Sequence, residues 1–167
     1  MAIMVRMPIH DITRLDLRVR PGVLPWDESH GYDTVDLVLD GRDLVDWVAP
    51  IEIAARGGKV RGRAREYLGH HVTDDLRGLL LGTWSGDSSE DFDGRVALLG
   101  CVCTVIGCGP LCARIDVGRD WVTWTDLVRY RGYGGFEYGD IGFRFRSGAY
   151  AAALDRWERE RPPQTTL

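Results

Sequence analysis

The spacing of apolar residues along this chain predicts both strands and helices. Apolar and charged residues alternate between positions 15 and 19, which is the period of two of a half-buried strand, and a Pro-Gly pair then ends the run. The segment TVDLVLDG predicts a second strand that stops at the turn signal Asp40-Gly41. The next segment, RDLVDWVAPIEIAAR, has apolar residues at helical spacing, and Pro50 is expected to kink or delimit that helix.

The second half of the chain is richer in strand-forming residues. RVALLGCVC has the pattern of a buried strand, LCARIDV alternates, and DWVTWTDLVRY is rich in aromatic and β-branched residues. The short connection 118–120 predicts a hairpin between the last two, and Phe143 with Phe145 suggests a further strand. Ser147 is expected to cap a helix that has an apolar face. That face consists of Tyr150, Leu154 and Trp157.

These elements predict an α+β fold in a single domain. An antiparallel β-sheet, arranged as a meander or as hairpins, is expected to be packed by one or two helices, including a C-terminal helix. Residues 14–160 are assigned to this domain, because the chain of 167 residues is long enough to bury one core. Residues 1–13, which contain three closely spaced methionines, are expected to be a loose N-terminal extension, and residues 161–167 a disordered tail.

Composition and charge narrow the class of function. The chain carries 25 acidic and 21 basic side chains, a formal net charge of −4, which argues against a protein that coats DNA or an anionic membrane. No segment has the apolar length of a signal peptide or of a membrane span. We therefore expect a cytoplasmic protein without a membrane partner, and nucleic acid is disfavoured as a partner.

Four cysteines in the segment CVCTVIGCGPLC form the densest group of candidate metal ligands. Thiolates suit zinc, which takes four sulfur or nitrogen ligands at the corners of a tetrahedron. The candidate zinc ligands are Cys101, Cys103 and Cys108, with Cys112, His70 or His71 as additions. Because Cys101 and Cys103 project from the same face of an extended strand, both can bind one ion only if the strand ends or bends there.

Two other interpretations of the cysteines stay open. The CxxC spacing of most structural zinc sites is missing, and cysteines of cytosolic proteins are commonly small buried apolar residues. A redox pair or a disulfide is the third alternative. On this balance no cofactor is expected, while zinc stays a candidate. Sulfurs about 3.5 to 4 Å apart around a common centre would favour zinc.

An ordered set of motifs spans residues 96–154 and consists of LLGCVC, GCGPLCARIDV, VTWTDL, IGFRF and AYAAAL. This set resembles a family of uncharacterised bacterial proteins, common in actinobacteria, whose pattern is approximately LLGCxCG…GCWPLxxRI, VxWxDF and GPFxFxxxxYxxAL. The chain departs from that pattern at Gly109, where the family has tryptophan, and after Cys103, where the family has glycine. The resemblance implies three motif cysteines, all but Cys112, and therefore disfavours an all-cysteine site completed by Cys112. It implies a fold and no named function.

A second candidate site lies on the predicted strand DWVTWTDLVRY. Trp124, Asp126 and Arg129 offer a flat ring, a carboxylate and a guanidinium, which together suit stacking and bidentate recognition of a small ligand or a peptide. The alternative is that Trp124 belongs to the core, while Asp126 and Arg129 form an ion pair at its rim.

Other charged and polar segments have mainly structural explanations. The basic stretch 56–65 is interpreted as a solvated surface, with phosphate or an acidic partner as the alternative. The glycine- and aromatic-rich stretch 132–142 is interpreted as a bent loop over the edge of the core rather than a surface for single-stranded nucleic acid. For the His-His pair at 70–71 and the Asp-Asp pair at 74–75, a polar turn or a helix start is preferred to a general base.

The function class follows from what these motifs lack. GxSxG, GxxxxGK[ST] and HExxH do not occur, so we expect a non-enzymatic binding or accessory module that recognises a protein or a small ligand on the sheet face around Trp124. The alternative is a zinc- or thiol-dependent enzyme centred on the CxCx4C cluster, with His70 or His71 as an added ligand or base. A weaker alternative is an immunity- or antitoxin-type protein that binds a basic partner through the acidic segment 87–93.

Overall fold

Sheets and helices share one core, and the fold class is α+β, as predicted. The computed structural model describes residues 8–24, 26–55, 57, 67–72, 74–83, 92–104, 108–130 and 135–163. The basic stretch 56–65 apart from Gly57, the acidic segment 87–93 apart from its last two residues, and positions 132–134 of the aromatic stretch lie outside the described residues.

The larger sheet contains two of the four cysteines, Cys101 and Cys112. Its strands in the described part of the chain are β1 (Ile9–Ile12), β7 (Tyr67–Leu68), β9 (Val96–Cys101), β10 (Leu111–Val117), β11 (Trp121–Arg129), β12 (Phe136–Glu137) and β13 (Gly142–Arg146). They pair in the order β1, β13, β11, β10, β9 and β7, with β12 beside β11. The predicted hairpin joins β10 to β11, and the Gly118 backbone N–H donates to the Trp121 carbonyl oxygen at 2.9 Å.

Strand β1 shows that the predicted N-terminal boundary is too late. Residues 9–12, expected to belong to a loose extension, pair in parallel with β13, so the sheet is mixed rather than purely antiparallel. The pairing places Ile12, which is 4% exposed, in the core. So short a strand has too few residues to show a period, and its partner lies near the other end of the chain. Residues 1–7 of the predicted extension lie outside the described residues.

The smaller sheet is built on a central strand from the N-terminal half. It consists of β2 (Leu15–Arg20), β5 (Thr34–Leu39), β6 (Arg42–Asp43) and β8 (His70–His71), and each of the others pairs antiparallel to β5. Strands β2 and β5 are the two N-terminal strands that the sequence predicts. A separate hairpin of β3 (Val23–Leu24) and β4 (Asp27–Gly31) has no counterpart in that prediction.

The segment 67–71 connects the two sheets and positions the histidines. Its first part, β7, pairs with β9 of the larger sheet, and its second part, β8, pairs with β5 of the smaller one. Gly69 lies between them, and a Cβ atom there would approach the Val35 carbonyl oxygen to 2.2 Å. Glycine therefore permits the close approach that brings His70, whose ring contacts the Ala97 carbonyl oxygen, beside β9.

The helices are α1 (Leu44–Ala55), α2 (Leu76–Leu80) and α3 (Ser147–Glu160). Helix α1 continues past Pro50, so the proline does not end it. Helix α3 buries Tyr150, Leu154 and Trp157, the face that the sequence predicts. Ser147 does not cap α3 as expected, because the N-cap position is Arg146 and the Ser147 hydroxyl donates to the Gly118 carbonyl oxygen at 2.9 Å.

Candidate metal centre

Strand β9 ends at Cys101, and a tight turn follows directly. The Thr104 backbone N–H donates to the Cys101 carbonyl oxygen at 2.9 Å, which closes a β-turn over residues 101–104. Thr104 leaves that turn with a φ of 60°. The strand thus ends at Cys101, and Cys103 lies in the turn rather than in an extended strand. This bend is the condition under which both cysteines can bind one ion.

The turn brings three sulfur atoms together. The Sγ atoms of Cys101, Cys103 and Cys108 all lie within 4.8 Å of one another, and we call this group the three-cysteine cluster. The Cys103 thiol donates to the Cys101 Sγ atom at 3.1 Å. Sulfurs of a tetrahedral zinc site are about 3.5 to 4 Å apart, because the Zn–S bond is about 2.3 Å long. Small side-chain movements are therefore enough to place the three sulfurs around one ion.

The other predicted ligands lie outside the three-cysteine cluster. Neither Cys112 nor His70 or His71 belongs to the group of ligand atoms that share this centre. Cys112 is buried in β10, where its backbone faces Ala97 and Val128. Among the described residues the protein thus supplies three ligands, one fewer than a closed structural zinc site has.

The sulfurs of the three-cysteine cluster influence one another's protonation. The pKa of the exposed Cys108 thiol is raised to about 11. The largest cause is a hydrogen bond to Cys103, followed by a hydrogen bond to Cys101 and by the negative charge that these two sulfurs carry as thiolates. In the absence of a cation Cys108 is therefore a thiol at neutral pH. A bound cation reverses this effect, since it favours the thiolate of every sulfur that it contacts.

A cavity of about 160 Å³ adjoins the three-cysteine cluster, and we call it the His–Cys cavity. Cys101 and Thr104 line it at the end of β9, while the segment after β7 and the start of α2 supply polar groups across from them. Those polar groups are His70, His71, Asp74 and Asp75, and Tyr32, which lies between β4 and β5, adds a phenol. Leucine, alanine, proline and phenylalanine side chains and two glycines form the rest of the wall, so the cavity combines apolar surface with several polar groups.

His70 connects the two sheets across the His–Cys cavity. Its Nε2 atom lies 2.7 Å from the Ala97 carbonyl oxygen, and its Nδ1 atom lies 3.4 Å from an Asp74 carboxylate oxygen. Both ring nitrogens therefore face oxygen acceptors, which removes His70 as a metal ligand in this arrangement. The His71 ring instead packs on the Tyr32 ring, with the ring centres 4.7 Å apart.

The aspartates beside the histidines shape the backbone. The Asp75 carboxylate accepts a hydrogen bond from the Gly78 backbone N–H at 2.9 Å and so caps α2. Asp74 accepts a hydrogen bond from the His71 backbone N–H at 3.0 Å. The predicted helix start is confirmed. Burial and the charge of Asp74 raise the pKa of the Tyr32 phenol, which therefore keeps its proton beside the cavity.

The predicted ligand site on β11 is not brought together on one accessible face. Trp124 is 0% exposed, and its Nε1–H donates to the Tyr150 hydroxyl at 3.1 Å. Asp126 is exposed and forms an ion pair with Arg95 at 2.7 Å. Arg129 is 2% exposed and lies in the core. The alternative that Trp124 is a core residue is confirmed, whereas the expected Asp126–Arg129 rim pair is not formed.

A β-bulge explains why these three residues separate. Asp126 has a φ of 55°, and the register of β10 against β11 shifts between Cys112 and Arg114. The extra residue reverses the alternation, so that Trp124 and Leu127 are both buried although they are an odd number of positions apart. A prediction based on a constant period of two cannot place residues on both sides of a bulge.

The core also contains an ionic cluster that was not predicted from the sequence. Arg129 pairs with Glu52 of α1 at 3.0 Å, and the Tyr138 hydroxyl donates to the other Glu52 oxygen at 3.0 Å. The Tyr67 and Tyr138 hydroxyl oxygens are 2.7 Å apart, and the Arg129 guanidinium lies over the Tyr67 ring at 4.4 Å. Burial raises the pKa of Tyr138, which stays a neutral donor to Glu52. Leu44, Val48 and Glu52 follow one another at intervals of four residues and therefore share one face of α1. This spacing is the one feature of the sequence that could have predicted the burial of Glu52.

Protein-family models, curated proteins and solved structures were compared with this chain, and none of them matches it. In the part of the chain that the structure describes, no helix has the length and apolar character needed to cross a membrane. The geometry of the three-cysteine cluster and of the His–Cys cavity is therefore the basis for a functional proposal.

Proposed function

We propose that this protein is a binding module that holds one zinc ion through the thiolates of Cys101, Cys103 and Cys108. The observation that carries the proposal is the convergence of the three sulfurs within 4.8 Å of one another. Thiolate sulfur selects soft and borderline cations, and zinc accepts three thiolates in a tetrahedral arrangement.

The proposal includes an open fourth position on the metal, available to a small ligand in the His–Cys cavity. Three protein ligands and one exchangeable ligand are typical of zinc sites that act on or bind other molecules. Cys101 supports the assignment, because it belongs both to the cluster and to the wall of the cavity. The proposed binding site for a ligand is thus the His–Cys cavity, and no longer the sheet face around Trp124 that the sequence favours.

Metal analysis of the purified, reduced protein tests this function. We expect one zinc per chain in the wild type and loss of that zinc in Cys103→Ser. Cys112→Ala is the matched control, since this cysteine is also in the segment CVCTVIGCGPLC but lies outside the cluster. Metal-free wild type after exposure to zinc, or equal zinc loss in the Cys112 variant, would remove the proposal.

The open position has a test of its own. In protein loaded with cobalt(II) instead of zinc, imidazole added in excess should shift the visible absorption bands, because it replaces the exchangeable ligand. A cobalt spectrum that imidazole leaves unchanged would indicate a closed site with four protein ligands.

A zinc-dependent enzyme at the same cavity is the second candidate. The observation that favours it is that Tyr32, a protonated phenol, and the His71 ring line the cavity together with Cys101. Zinc lowers the pKa of a bound water, and a histidine nearby can take up its proton. Hydrolysis of small activated esters that requires zinc and is lost in His71→Ala would support an enzyme, whereas zinc binding without such turnover leaves the binding module.

A further inference from the structure

We propose that Cys101 and Cys103 are a site of reversible oxidation, which closes a disulfide between them and leaves Cys108 as a thiol. Their sulfurs are 3.1 Å apart, and a disulfide bond is about 2.05 Å long. Each sulfur thus needs to move by only about half an ångström. The consequence for metal binding rests on the proposed function, while the disulfide itself does not.

The turn at the end of β9 holds this pair in place. The hydrogen bond from Thr104 to Cys101 fixes the backbone on both sides of Cys103, so the two side chains meet without rearrangement of the sheet. Both cysteines are half-buried, which leaves them accessible to a small oxidant. Cys112, by contrast, is 0% exposed and serves as a shielded thiol in the same segment.

Oxidation of the cysteine pair by a hydroperoxide takes two steps. One cysteine thiol gives up its proton, its thiolate sulfur attacks a peroxide oxygen, and the O–O bond breaks. A sulfenic acid forms, and the hydroxide that leaves takes up the thiol proton as one water. The sulfur of the second cysteine attacks the sulfenic sulfur, the S–O bond breaks, and the hydroxide that leaves takes up the thiol proton as a second water. The cysteine pair loses two electrons and two protons, and the peroxide gains them.

The disulfide removes two of the three proposed zinc ligands. Thiolates bind zinc, whereas disulfide sulfurs carry no negative charge and bind it poorly. Only Cys108 would remain, and a single thiolate does not hold the ion. Oxidation therefore releases the metal, and reduction by a dithiol restores the site.

Mass spectrometry of the full-length, metal-free protein after treatment with equimolar hydrogen peroxide tests the disulfide. All four cysteines lie in the tryptic peptide 96–114, so fragmentation of that peptide is needed to locate the bond. We expect loss of two hydrogen atoms between Cys101 and Cys103, and alkylation of Cys108. Cys108→Ala should keep the disulfide, Cys103→Ala should lose it, and dithiothreitol should reverse it.

The outcomes separate this inference from the proposed function. A disulfide to Cys108, or direct formation of sulfinic acid without a disulfide, overturns the inference whatever the metal does. When the reduced protein binds zinc, we expect peroxide to release it to a chelating dye in step with disulfide formation. An oxidised protein that retains its zinc overturns the regulatory consequence. A reduced protein that binds no zinc refutes the proposed function and leaves the disulfide to be decided by the mass spectra.

Discussion

At the scale of single residues, side-chain partners were the hardest feature to predict. The burial of Trp124 follows from its place in a strand rich in aromatic and β-branched residues, and it was one of two interpretations of the sequence. The pairing of Glu52 with Arg129 was not predicted, because it joins residues of α1 and β11 that only the tertiary fold brings together. Residues on the far side of the bulge at Asp126 change face, and one extra residue in a strand leaves no trace in composition.

The Glu52–Arg129 pair leads to a prediction about stability. Glu52→Gln keeps the shape of the side chain but removes the carboxylate charge that pairs with Arg129 in the core, which should lower the free energy of unfolding by about 3–5 kcal/mol. Arg77→Ala is the control, because it removes an exposed ion pair with Asp155 and should cost at most about 1 kcal/mol. Urea unfolding of both variants checks this, and equal costs would show that the core pair is not important for stability.

A second prediction at this scale concerns the thiol of Cys108. In the reduced, metal-free protein its alkylation should reach half of the maximal rate only near pH 11, the value to which its pKa is raised. Cys103→Ala removes the largest cause, so the midpoint should move down toward that of an ordinary cysteine. The pH dependence of iodoacetamide labelling, followed by mass spectrometry, gives both midpoints. Identical midpoints in the two proteins would mean that the sulfurs do not interact.

At the scale of elements, the length of a helix or strand determines whether the sequence predicts it, because only a long element shows a period of apolar residues. Strands β2, β5, β10 and β11 and helix α3 are long enough to show a period, and all were expected. Strands β1, β7 and β8 are only two to four residues long and exist because of their pairing with distant strands. The cysteines of the candidate site could therefore be found from the sequence, whereas the His–Cys cavity, which depends on β8, could not.

The connection between β7 and β8 depends on one glycine. Gly69→Ala should lower the free energy of unfolding by about 1–3 kcal/mol, since its Cβ would lie 2.2 Å from the Val35 carbonyl oxygen and force the strands apart. Gly148→Ala is the matched control in α3, where a Cβ meets nothing within 4 Å and the change should stabilise by about 0.4–1 kcal/mol. Opposite signs in thermal unfolding are expected, and two substitutions of the same sign would contradict the close approach at Gly69.

At the scale of the whole molecule, zinc binding should be coupled to folding. The three-cysteine cluster joins the end of β9 to the segment before β10, so a ligand that binds only the folded chain stabilises it as a unit. Zinc at about 100 times its dissociation constant should raise the free energy of unfolding by about 2.7 kcal/mol. Cys112→Ala should keep this increase and Cys108→Ser should lose it, as measured by denaturant unfolding with and without zinc. If zinc raised the free energy of unfolding equally in both variants, the ion would not be bound by the three-cysteine cluster.

Three thiolates and one open position define the proposed zinc site, and X-ray absorption at the zinc edge measures that coordination directly. For the reduced, zinc-loaded protein we predict three sulfur neighbours at about 2.3 Å and one oxygen or nitrogen neighbour at about 2.0–2.1 Å. A shell of four sulfurs would contradict the open position, and a shell of nitrogen and oxygen atoms alone would contradict the three-cysteine cluster as the metal site.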